Sequence, residues 1–329
     1  MLDSELRKSC VNTIRFLAAD AVEKAKSGHP GAPMGMADMA FVLWNQFLRY
    51  DPDDPDWKNR DRFVLSAGHA SMLLYSLLHL AGYKLSMDEL KNFRQWNSLT
   101  PGHPEYGLTP GVECTTGPLG SGFSNAAGMA LGAKMMGSRF NSSDISLIDS
   151  RIFVLCSDGD MQEGIASETA SWAGHLGLGN LIALYDSNDI TIAGDAGLAM
   201  SEDVGKRFEA YGWHVQHCDG HNHDEIADCL EESLSVANKP SLIVAKTVIG
   251  KGAPTKEGTA GSHGAPLGQE EIEAAKLASG WNDKPDFHVP DEVRGVFAER
   301  KKELKLQHQQ WEEKLAGWKQ SDPEQAKIW

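Results

Sequence analysis

The sequence predicts an α/β protein with a doubly wound, mostly parallel sheet and helices on both faces. Short runs of β-branched and apolar residues alternate with longer stretches of helical pattern, which is the order that a parallel sheet requires. The five runs cover residues 62–65, 151–156, 181–185, 213–217 and 241–247. Ligands bind beyond the carboxyl ends of the strands in such sheets, so the residues that follow the run 151–156 should carry chemistry.

Two helices follow from the spacing of apolar residues. After Asp158-Gly159, apolar and small residues recur at spacings of four, three and four and line one helix face; they are Ile165, Thr169, Trp172 and Leu176. A second helix is predicted over residues 299–320. Its apolar stripe consists of Leu304, Trp311, Leu315 and Trp318, and we expect it to need a partner surface on which to dock. We therefore expect a main domain over 1–298 and a C-terminal amphipathic helix or linker over 299–329.

Composition and charge limit the possible partners. The chain has 329 residues, 41% of them hydrophobic and 23% charged, which is typical of a globular protein. Its formal charge of -15 argues against a nucleic-acid or anionic membrane surface, because both need a positive field. Five cysteines without a C-x-x-C pair, an acidic amino terminus and no long apolar segment predict a cytoplasmic protein with free thiols.

The strongest chemical motif joins the ends of two neighbouring strands. Ser157-Asp158-Gly159 follows one predicted strand, and Asn188 follows the next one, thirty residues after Asp158. Mg²⁺ prefers an octahedron of oxygen ligands, and a carboxylate and an amide carbonyl at adjacent strand ends can supply two of them. Taken singly, Asp158 could be a helix cap and Asn188 a turn residue.

Glycines flank four histidines that are spread along the chain. These are His29, His69, His103 and His263, the last within a long glycine-rich loop over residues 256–266. Imidazole titrates near neutral pH and can donate hydrogen bonds to phosphate or sugar oxygens, so a group of them suits carbohydrate chemistry. A lone histidine is more often a satisfied core or surface residue, which is the interpretation given to His79, His175 and His308.

These motifs carry a resemblance to a known family. The Asp158 to Asn188 spacing resembles the thiamine diphosphate motif, with Ser157 in place of its first glycine and Asp189 where glycine often stands. The stretch SGHPGAPMG at 27–35 resembles the transketolase opening signature. Further blocks that resemble transketolases follow in the family's order: SAGHAS at 66–71, TPGHPE at 100–105, TTGPLG at 115–120 and SHGAPLG at 262–268. The resemblance covers nearly the whole chain and is to the amino-terminal half of a transketolase.

The resemblance implies roles for particular residues. His29, His103 and His263 would face the sugars as catalytic residues. The cofactor, thiamine diphosphate, would be bound by His69, Gly117, Leu119, Asp158, Gly159, Asn188 and His263. Asp158, Asn188 and the backbone carbonyl of Ile190 would ligate Mg²⁺ or Ca²⁺. Glu163 and Glu168 match acidic residues near the family's subunit interface, although solvated helix carboxylates are an equal alternative.

The resemblance further implies ketol transfer between sugar phosphates in the pentose phosphate pathway. In the family, a glutamate on a second, pyrimidine-binding domain activates the cofactor, and no counterpart lies in this chain. We expect a C-terminal partner subunit with that domain, in a heterotetramer of two copies of each half. A domain cut from a longer polypeptide is the other explanation of the length; the initial Met1 and the final helix favour a naturally split enzyme.

Other functions remain open at this stage. A nicotinamide oxidoreductase would need a G-x-G-x-x-G sequence at its first βαβ unit, which is not found. A cofactor-binding protein with a regulatory role, dihydroxyacetone synthase and deoxyxylulose phosphate synthase are alternatives that share the metal motif.

Overall fold

A five-stranded, all-parallel sheet lies at the centre of the computed structural model, which describes residues 2–281 and 284–329. The strands are β1 (Arg62–Leu65), β2 (Ile152–Ser157), β3 (Leu181–Ser187), β4 (Ile190–Thr191), β5 (Gly194–Asp195), β6 (His214–Asp219) and β7 (Ser241–Lys246). Those of the sheet have the order β1-β2-β3-β7-β6, and the two short strands β4 and β5 form a separate antiparallel hairpin. The α/β prediction is confirmed, and each predicted strand is present.

Helices cover both faces of this sheet, because side chains alternate between the faces along each strand. The helices are α1 (Ser4–Ala25), α2 (Gly31–Val42), α3 (Ser71–Ala81), α4 (Met87–Lys91), α5 (Ser121–Phe140), α6 (Asp158–Gln162), α7 (Gly164–His175), α8 (Val204–Ala210), α9 (His223–Ser235), α10 (Gln269–Ala278), α11 (Asp291–Ser321) and α12 (Pro323–Ile328). Phe153 and Leu155 of β2 point to one face of the sheet, where they form a core with α1, α2, α3 and α9. Val154 and Cys156 point to the other face, which is covered by α5, α7 and α8.

The strand register brings the chemical motifs to one edge of the sheet. Ser157 at the end of β2 lies opposite Asp186 of β3, and Ser187 lies opposite Lys246 of β7. Asp158 and Asn188 therefore leave the sheet side by side at its carboxyl edge, as the sequence predicted. No helix in the described parts of the chain is long and apolar enough to cross a membrane.

The helix α7 is confirmed, but the predicted apolar face is not its buried face. Ala166, Ala170 and Ala173 are buried against the sheet, whereas Ile165 and Trp172 are 46% and 41% exposed. Small side chains let the helix approach α5 and the sheet closely, and this preference outweighs the burial of larger groups. The large apolar side chains of α7 are left at the surface.

The prediction for the C-terminal helix is right about the helix and wrong about its stripe. α11 begins at Asp291, ahead of the predicted start, and runs to Ser321. Leu304, Trp311 and Trp318 are buried against the rest of the chain, and Trp311 Nε1 donates to the carbonyl of Leu147 at 2.7 Å. The stripe needs no partner surface, because the chain itself covers it. The division into 1–298 and 299–329 stays a prediction.

Replacing Trp311 with alanine should destabilise the protein by about 3 kcal/mol, because it removes a large buried ring and leaves the Leu147 carbonyl without its donor. Urea unfolding followed by circular dichroism measures this loss. Leu306→Ala on the same helix is the control, since Leu306 is 56% exposed. Equal midpoints for the two variants would show that α11 is not docked as described.

Candidate functional site

A cleft of about 400 Å³ opens at the carboxyl edge of the sheet and collects most of the residues that the sequence predicted for the site. Asp158 is the exception, because it lines an adjoining cavity of about 380 Å³. The predicted residues that line the cleft are His29, His69, His103, Gly117, Leu119, Gly159, Asn188, Ile190 and His263. They come from loops that are far apart in the sequence, and the fold brings them to one place.

The carboxylate of Asp158 ties the end of β2 to the loop after β3. Its Oδ1 accepts a hydrogen bond from the Tyr185 hydroxyl at 2.6 Å, and its Oδ2 accepts from the backbone N–H groups of Asn188 and Asp189 at 3.1 and 3.0 Å. Burial raises the pKa of Asp158, while these hydrogen bonds oppose the rise. The loop around Asn188 is thus shaped by a carboxylate that is almost fully buried.

A second buried carboxylate orients the side chain of Asn188. The Asn188 Nδ2 group donates to Asp186 at 2.6 Å, and Asn188 Oδ1 accepts from the N–H of Ile190 at 3.0 Å. The hydroxyl of Thr247 also donates to Asp186, and burial raises the pKa of Asp186 to about 7. The amide is therefore fixed with its nitrogen toward Asp186 and its oxygen on the Ile190 side.

These oxygen atoms fit a hard cation only together with oxygens from a ligand. No group of three or more His, Cys, Asp or Glu side chains within 2–281 and 284–329 is arranged to hold a metal. One carboxylate, one amide oxygen and one backbone carbonyl at adjacent strand ends form an all-oxygen set, the kind that Mg²⁺ and Ca²⁺ prefer. A diphosphate would supply further oxygens, so Asp158, Asn188 and Ile190 fit such a cation.

The two departures from the family motif have little structural cost at the cleft. Ser157 has φ −127°, an extended conformation that any residue adopts, so glycine is not needed there. Asp189 has φ 62°, in the left-handed region that favours glycine, and asparagine and aspartate tolerate this region best among the other residues. The Asp189 carboxylate forms an ion pair with Lys246. The additional negative charge beside the loop is therefore partly balanced.

The carboxylate of Asp160, which the sequence did not predict as a site residue, connects three segments next to the cleft by hydrogen bonds. It is completely buried and accepts hydrogen bonds from Ser66 Oγ at 2.7 Å, the Gly120 N–H at 2.8 Å, and the N–H and Oγ of Ser157 at 2.9 and 3.2 Å. Burial raises the pKa of Asp160, and these donors counteract the rise. One carboxylate thus joins the ends of β1 and β2 to the glycine turn that precedes α5. Its position directly after Asp158-Gly159 was the available signal.

The glycine turn lies directly under His103. A Cβ atom on Gly117 would be 3.3 Å from His103 Cγ, and Gly117 has φ 149°, so only glycine fits here without strain. The same turn also contacts the start of α6, where a Cβ on Gly159 would lie 2.9 Å from Leu119 Cδ1. The turn and the start of α6 therefore form part of the cleft surface, and the predicted contact of Gly117, Leu119 and Gly159 with a cofactor stays a prediction.

Three of the four histidine rings form a compact cluster. The centroids of His29 and His69 are 5.1 Å apart, those of His29 and His263 are 5.8 Å apart, and His69 and His263 stack at 5.2 Å. His263 Nδ1 is buried without a hydrogen-bond partner among the described residues. Buried polar atoms of this kind usually have a partner, so this nitrogen is available to a ligand.

The cleft keeps its imidazoles neutral. Burial, followed by the neighbouring charges of His263 and Arg94, lowers the pKa of His29 to about 4. Burial and the charge of His263 lower the pKa of His69 to about 3. Burial also lowers the pKa of His103 and that of His263. At neutral pH each ring can therefore donate one hydrogen bond and accept another, which is what proton exchange with a hydroxyl or carbonyl group requires.

Arg94 is a second residue that sequence reasoning missed. Its guanidinium donates to Ser27 Oγ at 2.8 Å and lies 3.5 Å from His29 Nδ1. It places a permanent positive charge beside the histidine cluster, in a chain whose overall charge is negative. No spacing around Arg94 distinguishes it in the sequence, since its loop approaches His29 only through the fold.

The two predicted interface glutamates differ in position. Glu163 lines the cleft, whereas Glu168 lies outside it, and both are exposed in this chain. Their exposure in a single chain fits solvated carboxylates and a subunit interface equally, so both interpretations of these glutamates stay predictions. They share α7 and its N-terminal boundary with the exposed side chains of Ile165 and Trp172.

An α/β sheet with a glycine-lined, histidine-rich cleft and an oxygen donor set at its carboxyl edge defines a cofactor-binding domain of the diphosphate type. Residues 6–329 match the family described as transketolase, thiamine diphosphate binding domain, and the chain belongs to this family. The predicted family and the thiamine diphosphate-binding character of the domain are confirmed.

Individual relatives agree with this assignment. The chain is 53% identical over 323 residues to a transketolase of Geobacillus stearothermophilus and 53% identical over 321 residues to transketolase 2 of Escherichia coli. These alignments cover 98% and 97% of this chain but 48% of each relative. A Pichia stipitis transketolase in complex with sedoheptulose 7-phosphate superposes with a TM-score of 0.96 at 46% identity, over 98% of this chain and 48% of that one. The chain thus spans about half the length of these relatives.

Lowering the pH should destabilise the folded chain, and His69 should account for part of this effect. An unfolded histidine has a pKa of about 6.5. Because the folded pKa of His69 is lower, the unfolded state takes up the proton first, and stability present above pH 6.5 is lost as the pH falls toward 3. In His69→Asn, the loss between pH 7 and pH 5 should shrink by roughly 1–2 kcal/mol.

Denaturant unfolding at a series of pH values measures this difference. Ile249→Val is the control, because it changes packing in the same cleft without removing a titrating group. This variant should shift the whole curve without changing its slope. Parallel curves for His69→Asn and the unaltered protein would contradict the burial-lowered pKa.

Proposed function

We propose that this chain is the diphosphate-binding half of a thiamine diphosphate- and Mg²⁺-dependent transketolase. Combined with a pyrimidine-binding partner, it would transfer two-carbon ketol units between sugar phosphates, in the cytoplasmic pentose phosphate pathway. The observation that carries the proposal is the meeting of four glycine-flanked histidines with the ends of β2 and β3 around one cleft. The family assignment supports the cofactor class.

Residues of this half would hold the diphosphate end of the cofactor. The Asp158 carboxylate, the Asn188 amide oxygen and the Ile190 carbonyl would ligate Mg²⁺ or Ca²⁺, with diphosphate oxygens completing the shell. Neutral His69 and His263 would donate to the diphosphate, and the unpartnered Nδ1 of His263 supports this role. Gly117, Leu119 and Gly159 would line the cofactor, because their backbone forms the cleft wall.

The bound cofactor supplies a carbon nucleophile and an electron sink for the two-carbon unit. The protein's part is to orient the sugars and to move protons. His29, His103 and His263 face the same cleft and are neutral, so each can donate to one sugar oxygen or accept a proton from another. The fixed charge of Arg94 beside His29 favours the neutral ring and would attract an anionic sugar phosphate.

The surface around the cleft supports a partner. Ile192 and Leu198, in and just after the β4–β5 hairpin, are 74% and 82% exposed. Ile192 lines the cleft, and Ile165 and Trp172 on α7 are also exposed, so several large apolar side chains remain in unfavourable contact with water. A C-terminal transketolase subunit or domain with the pyrimidine site would cover such groups, and self-association would give two copies of each half.

Asp158→Ala should abolish Mg²⁺-dependent binding of thiamine diphosphate, because the remaining neutral oxygens cannot hold the cation against the diphosphate charge. Isothermal titration with the chain assembled on a pyrimidine-domain partner measures the affinity. Glu209→Ala, which removes an exposed carboxylate on α8, is the charge-matched control and should bind normally. Unchanged affinity in Asp158→Ala would remove Asp158 from the metal site.

Mixing this chain with a pyrimidine-domain subunit should produce ketol transfer from xylulose 5-phosphate to ribose 5-phosphate, and the chain alone should be inactive. Product analysis by chromatography measures the transfer. Activity of the chain alone would contradict the half-enzyme proposal. Cofactor binding without transfer, with every partner tried, would favour a regulatory role, and transfer to formaldehyde in place of ribose 5-phosphate would favour dihydroxyacetone synthase.

A further inference from the structure

A buried carboxylate on α2 binds two histidines that lie outside the cleft. Asp38 accepts hydrogen bonds from Arg15 at 2.5 Å, from His221 Nδ1 at 2.8 Å and from His223 Nε2 at 2.9 Å. Burial alone would raise the pKa of Asp38, but the hydrogen bonds from His221 and His223 and the charge of Arg15 hold it well below its usual range. Asp38 is therefore ionised and acts only as an acceptor.

His221 links this carboxylate to the loop that follows β7. Its second ring nitrogen, Nε2, accepts the backbone N–H of Val248 at 3.1 Å. Because an ionised acceptor faces Nδ1 and a donor faces Nε2, the two partners assign the proton to Nδ1. The imidazole of His221 therefore connects the Asp38 carboxylate to the Val248 backbone, with one hydrogen bond from Nδ1 and one to Nε2.

Val248 lies in the segment that connects the end of β7, at Lys246, to the residues that line the cleft. The preceding residue, Thr247, donates its hydroxyl to Asp186, which also orients Asn188. The following residue, Ile249, lines the cleft. Thr247 is thus anchored to Asp186 at the end of β3, and Val248 is anchored to Asp38 of α2 through His221.

The loop beyond Val248 lies on the amino-terminal half of α2 with no free space. A Cβ on Gly35 would be 2.8 Å from the Val248 carbonyl oxygen, and a Cβ on Gly31 would be 2.5 Å from the Ser262 carbonyl oxygen. The Gly250 N–H also donates to the Gly31 carbonyl at 2.9 Å. A displacement of Val248 must therefore move the loop that leads to His263 relative to α2 and His29.

From these contacts we infer that His221, oriented by Asp38, is a positioning residue that fixes the cleft wall over residues 248–263 and thereby the affinity for the cofactor. His221 does not line the cleft, and it acts through Val248. The consequence for cofactor affinity rests on the proposed function, whereas the consequence for the loop does not.

Two substitutions separate the two hydrogen bonds of His221. In His221→Asn, the amide reaches Asp38 at the place of Nδ1 but leaves the Val248 N–H without an acceptor. In His221→Gln, the amide oxygen can take the place of Nε2 and accept from Val248. His223→Asn is the matched control, because His223 shares Asp38 but is not hydrogen-bonded to Val248.

Hydrogen exchange of the Val248 amide in the full chain, relative to the buried Leu242 amide of β7, is the direct measurement. Loss of a buried acceptor predicts exchange about tenfold faster in His221→Asn, with restoration in His221→Gln and no change in His223→Asn. Titration of thiamine diphosphate with Mg²⁺ into the same proteins should show an affinity about tenfold weaker in His221→Asn alone.

Several outcomes would overturn the inference. Equal Val248 exchange in all variants would do so, as would a rise in His221→Asn that the Leu242 amide matches, since both would indicate only a general effect on stability. If the unaltered chain, alone and with a partner, fails to bind thiamine diphosphate, the proposed function fails while the exchange result still decides the role of His221.

Discussion

Two buried carboxylates that directly follow β2, those of Asp158 and Asp160, are the constraint on which the site depends. Asp158 holds the N–H groups of Asn188 and Asp189, and Asp160 holds the N–H groups of Ser157 and Gly120. Backbone groups that leave a sheet lose their ladder partners and must find others when they are buried. The two aspartates supply these partners, so the loops around the cleft have one defined path.

Burial in this region acts on acids and bases in opposite directions. It raises the pKa of Asp158 and brings that of Asp186 to about 7, whereas it lowers that of His29 to about 4. The site therefore holds groups whose charges are disfavoured by the same surroundings. A divalent cation at the proposed site would offset this penalty for Asp158.

The apolar side chains of α11 and α7 differ in how far the chain itself buries them. The stripe of α11 is satisfied within the chain, where Trp311 and Trp318 are buried. In contrast, α7 buries Ala166, Ala170 and Ala173 and leaves Ile165 and Trp172 exposed. The partner subunit proposed above would therefore cover the exposed side chains of α7 rather than the stripe of the C-terminal helix.

The sequence by itself determined the parallel sheet, its five main strands and, with the family resemblance, most of the residues that meet in the cleft, because strand periodicity and short glycine-flanked motifs are local properties. It could not find Arg94, the hydrogen bonds of Asp160 or the link from Asp38 through His221 to Val248. Each joins segments far apart in the sequence, and no local pattern encodes which distant groups will meet.

Burial was likewise decided only by the tertiary structure. Helical spacing identified apolar faces on both α7 and α11, but the close approach of α7 to α5 and the sheet admits alanine in preference to isoleucine or tryptophan. The stripe of α11 packs on Phe140, Leu147 and neighbouring residues that its own spacing could not indicate. A periodic pattern determines which side chains share a face, whereas the shape of the opposing surface determines whether that face is covered.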